Sequence, residues 1–144
     1  MIIANEAKRM LKCVLALGLA MAAASVAIGQ QPAPTGPLML FFDWGKPDIR
    51  SDDQAVLDQA VAAWRASPGS RLALSGHTDR SGGAAFNLTA SRKRAEMVRH
   101  ELEKRGVPSN AISVAGYGEE RPMVPTEDGV REVQNRRVEI RIER

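Results

Sequence analysis

The stretch SGHTDRSGGAAFNLTASRKRA, residues 75–95, decides the fold that this sequence predicts. It starts where an apolar strand pattern at 72–74 ends, crosses a polar turn at 77–83 and continues into a long helix pattern. Asp79 lies in the turn and Arg94 lies on the helix. An acid and a guanidinium joined by a strand–turn–helix unit predict a salt bridge that fixes the turn, a catalytic pair, or a pocket for a ligand with an ammonium and a carboxylate.

Patterns on both sides of this stretch extend it to a β-α-β-α-β-β order. The predicted strands are residues 38–42, 71–75, 112–117 and 137–143, and the predicted helices run from Ser51 to Ser67 and from about Ala85 or Leu88 to Arg105. This order predicts an α/β two-layer sandwich, in which two main helices cover one face of a four-stranded mixed sheet.

Three local features refine these elements. Ser51 and Gln54 form a capping-box pattern at the first helix, and Gly106 is the expected C-terminal cap of the second. The last strand alternates, which predicts either a half-exposed strand with one solvated face or an edge strand protected by its charges; the outward residues are Arg137, Glu139, Arg141 and Glu143.

The first 29 residues predict a secretory signal peptide. Basic residues precede an uncharged apolar run at 13–28, and small residues at 27 and 29 favour cleavage after Gly29. The run holds about 16 residues, fewer than the roughly 20 that span a bilayer as a helix, so an N-terminal anchor is the less favoured alternative. Residues 30–37 predict a Pro-rich linker, and residues 38–144 predict one domain.

Composition excludes several kinds of site from the predicted mature chain. The only cysteine of the full sequence, Cys13, lies in the targeting segment. The predicted mature chain is therefore left with no disulfide and no thiolate ligand. Removing residues 1–29 leaves 17 basic and 16 acidic residues, a balance that predicts no nucleic-acid partner. His77 and His100 are the only histidines, without metal-ligand spacing or a nucleophile elbow. We therefore expect no cofactor, no metal and no catalytic role for His77.

The motifs in this chain resemble the OmpA-like C-terminal domain, shared by outer-membrane OmpA proteins, the peptidoglycan-associated lipoprotein Pal and the flagellar stator protein MotB. The resemblance covers about residues 38–143. The matching segments are Gly76-His77-Thr78-Asp79, Asn87, Ser91, Arg94-Ala95, Val98, Gly116-Tyr117-Gly118-Glu119, Pro122 and Asn135-Arg136-Arg137-Val138-Glu139-Ile140. Ala90 departs from the family, which often has leucine before the Ser91 position.

This resemblance implies non-covalent binding of peptidoglycan through the diaminopimelate of its stem peptide, without catalysis. It implies that Asp79 meets the ligand's ammonium and Arg94 its carboxylate. The other site residues that it implies are Ser81, Asn87, Leu88, Phe42 and Asp43. Replacing Asp79 or Arg94 by alanine is expected to abolish binding and to leave thermal unfolding nearly unchanged.

The resemblance also implies a place of action and a set of partners. It implies a periplasmic protein that tethers the cell envelope to peptidoglycan, associated with the outer membrane of a Gram-negative bacterium. Outer-membrane or other envelope proteins are further candidate partners. The alternative is an envelope protein–protein interaction module that keeps the fold without binding peptidoglycan.

Overall fold

The computed structural model describes residues 35–144, so the predicted signal peptide and residues 30–34 of the predicted linker lie outside it. The elements are β1 (Leu38–Phe41), α1 (Gln54–Arg65), β2 (Arg71–Gly76), α2 (Ala84–Lys104), β3 (Ile112–Gly116) and β4 (Arg137–Glu143). This β-α-β-α-β-β order confirms the predicted one. Within the described residues, no helix is both long enough and apolar enough to cross a membrane.

The four strands form one mixed sheet in the order β1-β4-β2-β3. β2 and β3 are parallel and are joined by α2, a connection of the length that parallel strands require. β4 is antiparallel to both of its neighbours, β1 and β2. The last strand of the chain is therefore an interior strand rather than an edge.

The core lies between the sheet and the two helices. Apolar residues alternate along the strands, and they face apolar stripes on the helices. Its fully buried members include Leu40, Leu57, Ala60, Leu72, Ala95, Val98, Leu102 and Val138. One continuous cluster with contributions from α1, α2 and the sheet confirms the predicted two-layer sandwich.

The helix ends confirm one predicted cap and contradict another. α2 ends in a Schellman motif: Gly106 has φ +92° and donates its N–H to the Glu103 carbonyl at 2.9 Å, and Val107 donates to the Leu102 carbonyl at 3.1 Å. The capping box at Ser51 is wrong, because Ser51–Asp53 form a 3-10 turn, and α1 then begins without a side-chain cap.

The predicted solvated face of β4 is also wrong for its first half. Arg137 and Glu139 are buried, and they form an ion pair with a 2.7 Å contact. The cause is the long loop before β4, which crosses this face: Arg137 Nη2 donates to the carbonyl oxygen of Arg121 at 3.2 Å. Arg141 and Glu143, further along the strand, are exposed as predicted.

Two glycines bring α2 close to the sheet at the end of β2. Gly76 and Gly116 are partners in the β2–β3 register. A Cβ atom on Gly76 would lie 2.0 Å from the carbonyl oxygen of Ser91, and one on Gly116 would lie 2.8 Å from the backbone nitrogen of Arg92. The absence of side chains here lets the helix backbone rest on the strands, at the turn of α2 that precedes Arg94.

Candidate functional site

A cleft of about 530 Å³ lies where the turn after β2, the first turns of α2 and the loop before β4 meet. Four of the predicted site residues line it: Asp79, Ser81, Asn87 and Arg94. The other residues that line the cleft are Trp44, Gly45, Lys46, Pro47, Thr78, Gly82, Phe86, Ala90, Lys93, Gly129, Arg131 and Arg136.

Asp79 is buried and accepts four hydrogen bonds. Its Oδ1 accepts the Ser81 hydroxyl at 2.6 Å and the Ser81 backbone N–H at 3.2 Å. Its Oδ2 accepts Arg136 Nη1 at 2.6 Å and the backbone N–H of Glu132 at 3.1 Å. An ionised carboxylate offers about four lone-pair positions, so these four donors leave it without a free acceptor position.

The hydrogen bonds around Asp79 decide its charge. Burial acts to raise the pKa of this carboxyl, but the bonds from the Ser81 hydroxyl, the Arg136 guanidinium and the Glu132 and Ser81 N–H groups together outweigh it. The pKa of Asp79 therefore lies below its usual range. The carboxylate is ionised and held in a fixed position at neutral pH.

Arg94 is buried beside this carboxylate but is not paired with it. Among residues 35–144, its guanidinium makes one long hydrogen bond, from Nη1 to the His77 carbonyl at 3.4 Å, and no ion pair within 4.0 Å. It lies 5.5 Å from the centroid of the Phe42 ring. Burial, then repulsion from Arg136, lower the pKa of Arg94 and outweigh the attraction of Asp79. The alternative of an Asp79–Arg94 salt bridge is therefore wrong.

The guanidinium that forms an ion pair with Asp79 belongs to Arg136 and not to Arg94. Besides its contact with Asp79, it donates from Nε to the Phe42 carbonyl at 3.0 Å. The Phe42 backbone N–H in turn donates to the Arg136 carbonyl at 2.9 Å, which joins the end of β1 to the residue before β4. Arg136 was among the residues that carry the family resemblance but not among the predicted site residues, yet it lines the cleft.

The remaining predicted site residues separate into two groups. Asn87 is buried and ties the start of α2 to the turn, since its Nδ2 donates to the Asp79 carbonyl at 3.3 Å and to Glu119 Oε2 at 2.6 Å. Phe42, Asp43 and Leu88 do not line the cleft. Phe42 is fully buried, whereas Asp43 is exposed and Leu88 faces an adjoining cavity on the outer side of α2.

The rim of the cleft carries aromatic and basic residues that sequence reasoning missed. The Trp44 indole N–H donates to the Ser81 hydroxyl oxygen at 3.2 Å, and the Arg131 guanidinium stacks 3.6 Å from the centroid of the Trp44 rings. Phe86 is 71% exposed at the start of α2. Trp44 and Arg131 lie in irregular segments, where no periodic pattern indicates their direction.

His77 is separated from this cleft. It is buried, stacks on Tyr117 with ring centroids 5.5 Å apart, and its Nε2 lies 3.8 Å from Glu139 Oε1. Burial and the nearby Arg137 lower its pKa to about 4. Among the described residues, no group of three or more His, Cys, Asp or Glu is arranged to hold a metal ion. A neutral, enclosed imidazole that does not reach the cleft is not placed for acid–base chemistry there.

Comparison with known proteins agrees with this architecture. The sequence matches the OmpA family over residues 41–136. A peptidoglycan-associated lipoprotein of Rhizobium meliloti is 36% identical over 125 residues, which cover 85% of this chain and 70% of the relative. An outer membrane protein of Gluconacetobacter diazotrophicus is 38% identical over 115 residues, covering 76% of this chain and only 30% of that relative.

A solved structure gives the same result at the level of the fold. The crystal structure of the peptidoglycan-associated lipoprotein from Burkholderia pseudomallei superposes with a TM-score of 0.67 and 28% identity, over 73% of this chain and 89% of the other. The mixed sheet with both helices on one face is thus shared with that protein. The motif resemblance is confirmed, and this chain belongs to the OmpA family.

Proposed function

We propose that this domain binds peptidoglycan non-covalently, by holding the free amino-acid end of a diaminopimelate side chain in the cleft. The observation that carries the proposal is the buried guanidinium of Arg94, which lines the cleft without a carboxylate partner among the described residues. Relatives named peptidoglycan-associated lipoproteins support it. In this role the domain tethers a component of a Gram-negative envelope to the wall, and it acts as a binding module rather than an enzyme.

The carboxylate of the ligand is assigned to Arg94. A guanidinium presents two parallel N–H groups that match the two oxygens of a carboxylate. Burial first, and then repulsion from the nearby Arg136 guanidinium, disfavour the charge of Arg94 and lower its pKa. An incoming carboxylate relieves this repulsion, so it is attracted both by the hydrogen-bond geometry and by the local charge.

The ammonium of the ligand is assigned to Asp79 together with Ser81. Both Asp79 oxygens are already occupied by hydrogen bonds in the ligand-free domain. The Ser81 hydroxyl is the donor that is most easily replaced, because a hydroxyl can rotate and accept instead of donating. We propose that the ammonium displaces it, and then donates to Asp79 Oδ1 and to the Ser81 oxygen.

A site of this size predicts weak binding of a single ligand. Hydrogen bonds to charged groups contribute about 1.5–3 kcal/mol each, and part of this is offset by the entropy of immobilising the ligand. Many diaminopimelate groups on one polymer compensate by raising the effective ligand concentration. The domain is therefore expected to hold the wall firmly while it exchanges single sites rapidly.

Arg94→Lys tests the proposal, because lysine keeps the charge and loses the two-pronged geometry. We expect affinity for free meso-diaminopimelate, measured by calorimetry, to fall about tenfold or more, and sedimentation with isolated peptidoglycan to fall with it. The matched control is Arg92→Lys on the exposed side of the same helix, which should bind like the wild type.

The outcomes separate the two candidate functions. Retention on peptidoglycan that free diaminopimelate competes away, and that Arg94→Lys weakens without a change in melting temperature, supports the proposal. Equal retention of Arg94→Lys and wild type would contradict it. If the wild-type domain is not retained on peptidoglycan but captures an envelope protein, the chain is an interaction module that keeps the fold.

A further inference from the structure

The residues that line the cleft carry more positive charge than the amino-acid end of diaminopimelate can neutralise. The cationic residues that line it are Lys46, Lys93, Arg94, Arg131 and Arg136. Within the part of the chain that the structure describes, the only acidic residue that lines it is Asp79, which Arg136 already neutralises. Across residues 35–144, none of the other four cations forms an ion pair. The amino-acid end of diaminopimelate carries one ammonium and one carboxylate, so its net charge offsets none of this excess.

Arg131 differs from an ordinary solvated surface cation because it stacks on an indole ring that is itself held in place. Its guanidinium stacks 3.6 Å from the Trp44 centroid, and the Trp44 indole is itself fixed by its hydrogen bond to Ser81. Stacking on an aromatic face uses the plane of the guanidinium and leaves its N–H edge free for a carboxylate. Lys93 lines the same cleft, next to Arg94 in the sequence.

The size of the cleft agrees with a larger ligand. Its volume of about 530 Å³ lies within the range of about 300–1,000 Å³ found for sites that enclose drug-sized molecules. An adjoining cavity on the outer side of α2 shares Pro47 and Lys93 with it. The site thus has room for a residue attached to diaminopimelate as well as for the diaminopimelate end itself.

We infer that the cleft contains a second carboxylate subsite, formed by Arg131 on Trp44 together with Lys93, which takes a further carboxylate of the stem peptide. This inference rests on the proposed function. The further carboxylate belongs either to a γ-D-glutamyl residue before diaminopimelate or to a D-alanyl residue after it. The chemistry is the same in both cases: an acidic peptide whose second carboxylate meets a preorganised guanidinium and an ammonium.

Calorimetric titration of the domain with three probes tests the inference: free meso-diaminopimelate, γ-D-glutamyl-meso-diaminopimelate and meso-diaminopimelyl-D-alanine. At least one dipeptide should bind about tenfold more tightly than the free amino acid, as expected for one added charge-assisted contact. Amidation of the glutamyl α-carboxylate in the first dipeptide, or of the alanyl carboxylate in the second, should remove this gain in affinity. Arg131→Gln and Lys93→Gln should each lower the ratio of the dipeptide affinity to the affinity for free diaminopimelate.

The control variant is Lys104→Gln, which removes one positive charge from the last turn of α2, outside both the cleft and the adjoining cavity, and should retain the full gain. If both dipeptides bind no better than diaminopimelate, or if amidation has no effect, the second subsite is refuted and the proposed function stands. If the wild-type domain binds none of the three probes, both are refuted.

Discussion

At the scale of single residues, the Asp79 carboxylate joins three segments of the chain. It accepts hydrogen bonds from Ser81 in the turn after β2, from Glu132 in the long loop and from Arg136 before β4. Its first role is therefore to hold the walls of the cleft together, and the proposed contact with the ligand's ammonium is additional to that role. Arg94 has the opposite character, since it contributes a charge that the described part of the fold leaves without an ionic partner.

We expect Asp79→Ala to destabilise the domain by about 3–5 kcal/mol, because it leaves the buried Arg136 guanidinium without its counter-ion. Urea unfolding measures this change. Asp128→Ala is the matched control: this aspartate pairs with Arg80, but its side chain is 85% exposed, so the cost should stay below about 1 kcal/mol.

This prediction departs from the expectation of nearly unchanged thermal unfolding in Asp79→Ala. Loss of peptidoglycan binding in Asp79→Ala would not distinguish a lost ligand contact from a destabilised cleft. Arg94→Lys tests the ligand contact directly, because Arg94 forms no ion pair within the described residues. An unfolding midpoint of Asp79→Ala equal to that of the wild type would show that Arg136 finds another partner, and would contradict the structural role of this carboxylate.

At the scale of elements, the two paired glycines at the ends of β2 and β3 determine where α2 lies. Without them the helix backbone could not contact the strands at Ser91. The Ser91 hydroxyl also accepts the backbone N–H of Gly118 at 2.9 Å, which fixes the start of the long loop against the same turn of helix. This close contact brings Arg94, less than one turn later, beside the residues that follow β2.

Gly76→Ala is expected to cost about 3 kcal/mol or more, at the upper end of overpacking effects, because the new methyl group meets backbone rather than a movable side chain. It should also weaken diaminopimelate binding, since α2 must move away from β2. Gly83→Ala is the control: it lies beside the cleft, its φ is −81° and a Cβ there meets nothing within 4 Å. Thermal unfolding and calorimetry of both variants measure the two effects, and equal behaviour would contradict this account of α2.

At the scale of the whole molecule, the sheet is covered on both faces over part of its length. The helices cover one face, and the loop between β3 and β4 covers the other around His77, Arg137 and Glu139. The imidazole of His77 therefore lies inside a polar but enclosed layer, beside the guanidinium of Arg137. Protonating it in the folded state is unfavourable, and this couples the stability of the domain to pH.

The free energy of unfolding should fall by about 2 kcal/mol between pH 7 and pH 5 because of His77. The unfolded chain takes up this proton below its ordinary pKa of 6.5, whereas the folded chain takes it up only near pH 4. The unfolded state thus binds more protons in this window, and stability falls as the pH falls. The lowered pKa values of Asp79 and Glu139 act in the same direction, but only below the ordinary carboxyl range.

Urea unfolding at several pH values measures this dependence. The loss should persist in His100→Gln, which removes an exposed histidine, and should be much smaller in His77→Phe, which keeps an aromatic ring against Tyr117. NMR of the wild-type domain supplies a second readout, because the His77 ring signals should not titrate above pH 5. Titration of these signals near neutral pH would contradict the enclosed environment.

The sequence by itself determined the element order, the two-layer sandwich and the family. Apolar periodicity, the Gly106 cap and the run around Asp79 are local features, and local features are what neighbouring residues specify. Four of the sixteen residues that line the cleft were also predicted. Asp79 and Arg94 lie on one strand–turn–helix unit, which predicted them as a pair, and the family resemblance added Ser81 and Asn87.

Only the tertiary structure decided which charges pair. Arg136, rather than Arg94, neutralises Asp79 across 57 positions of sequence, and Arg131 stacks on Trp44 from a distant loop. The same loop buries Arg137 and Glu139, which alternation predicted to be solvated. Periodicity reports which face of a strand a residue occupies but not what covers that face. Long-range contacts depend on how irregular segments pack, and for that no repeating pattern exists in the sequence.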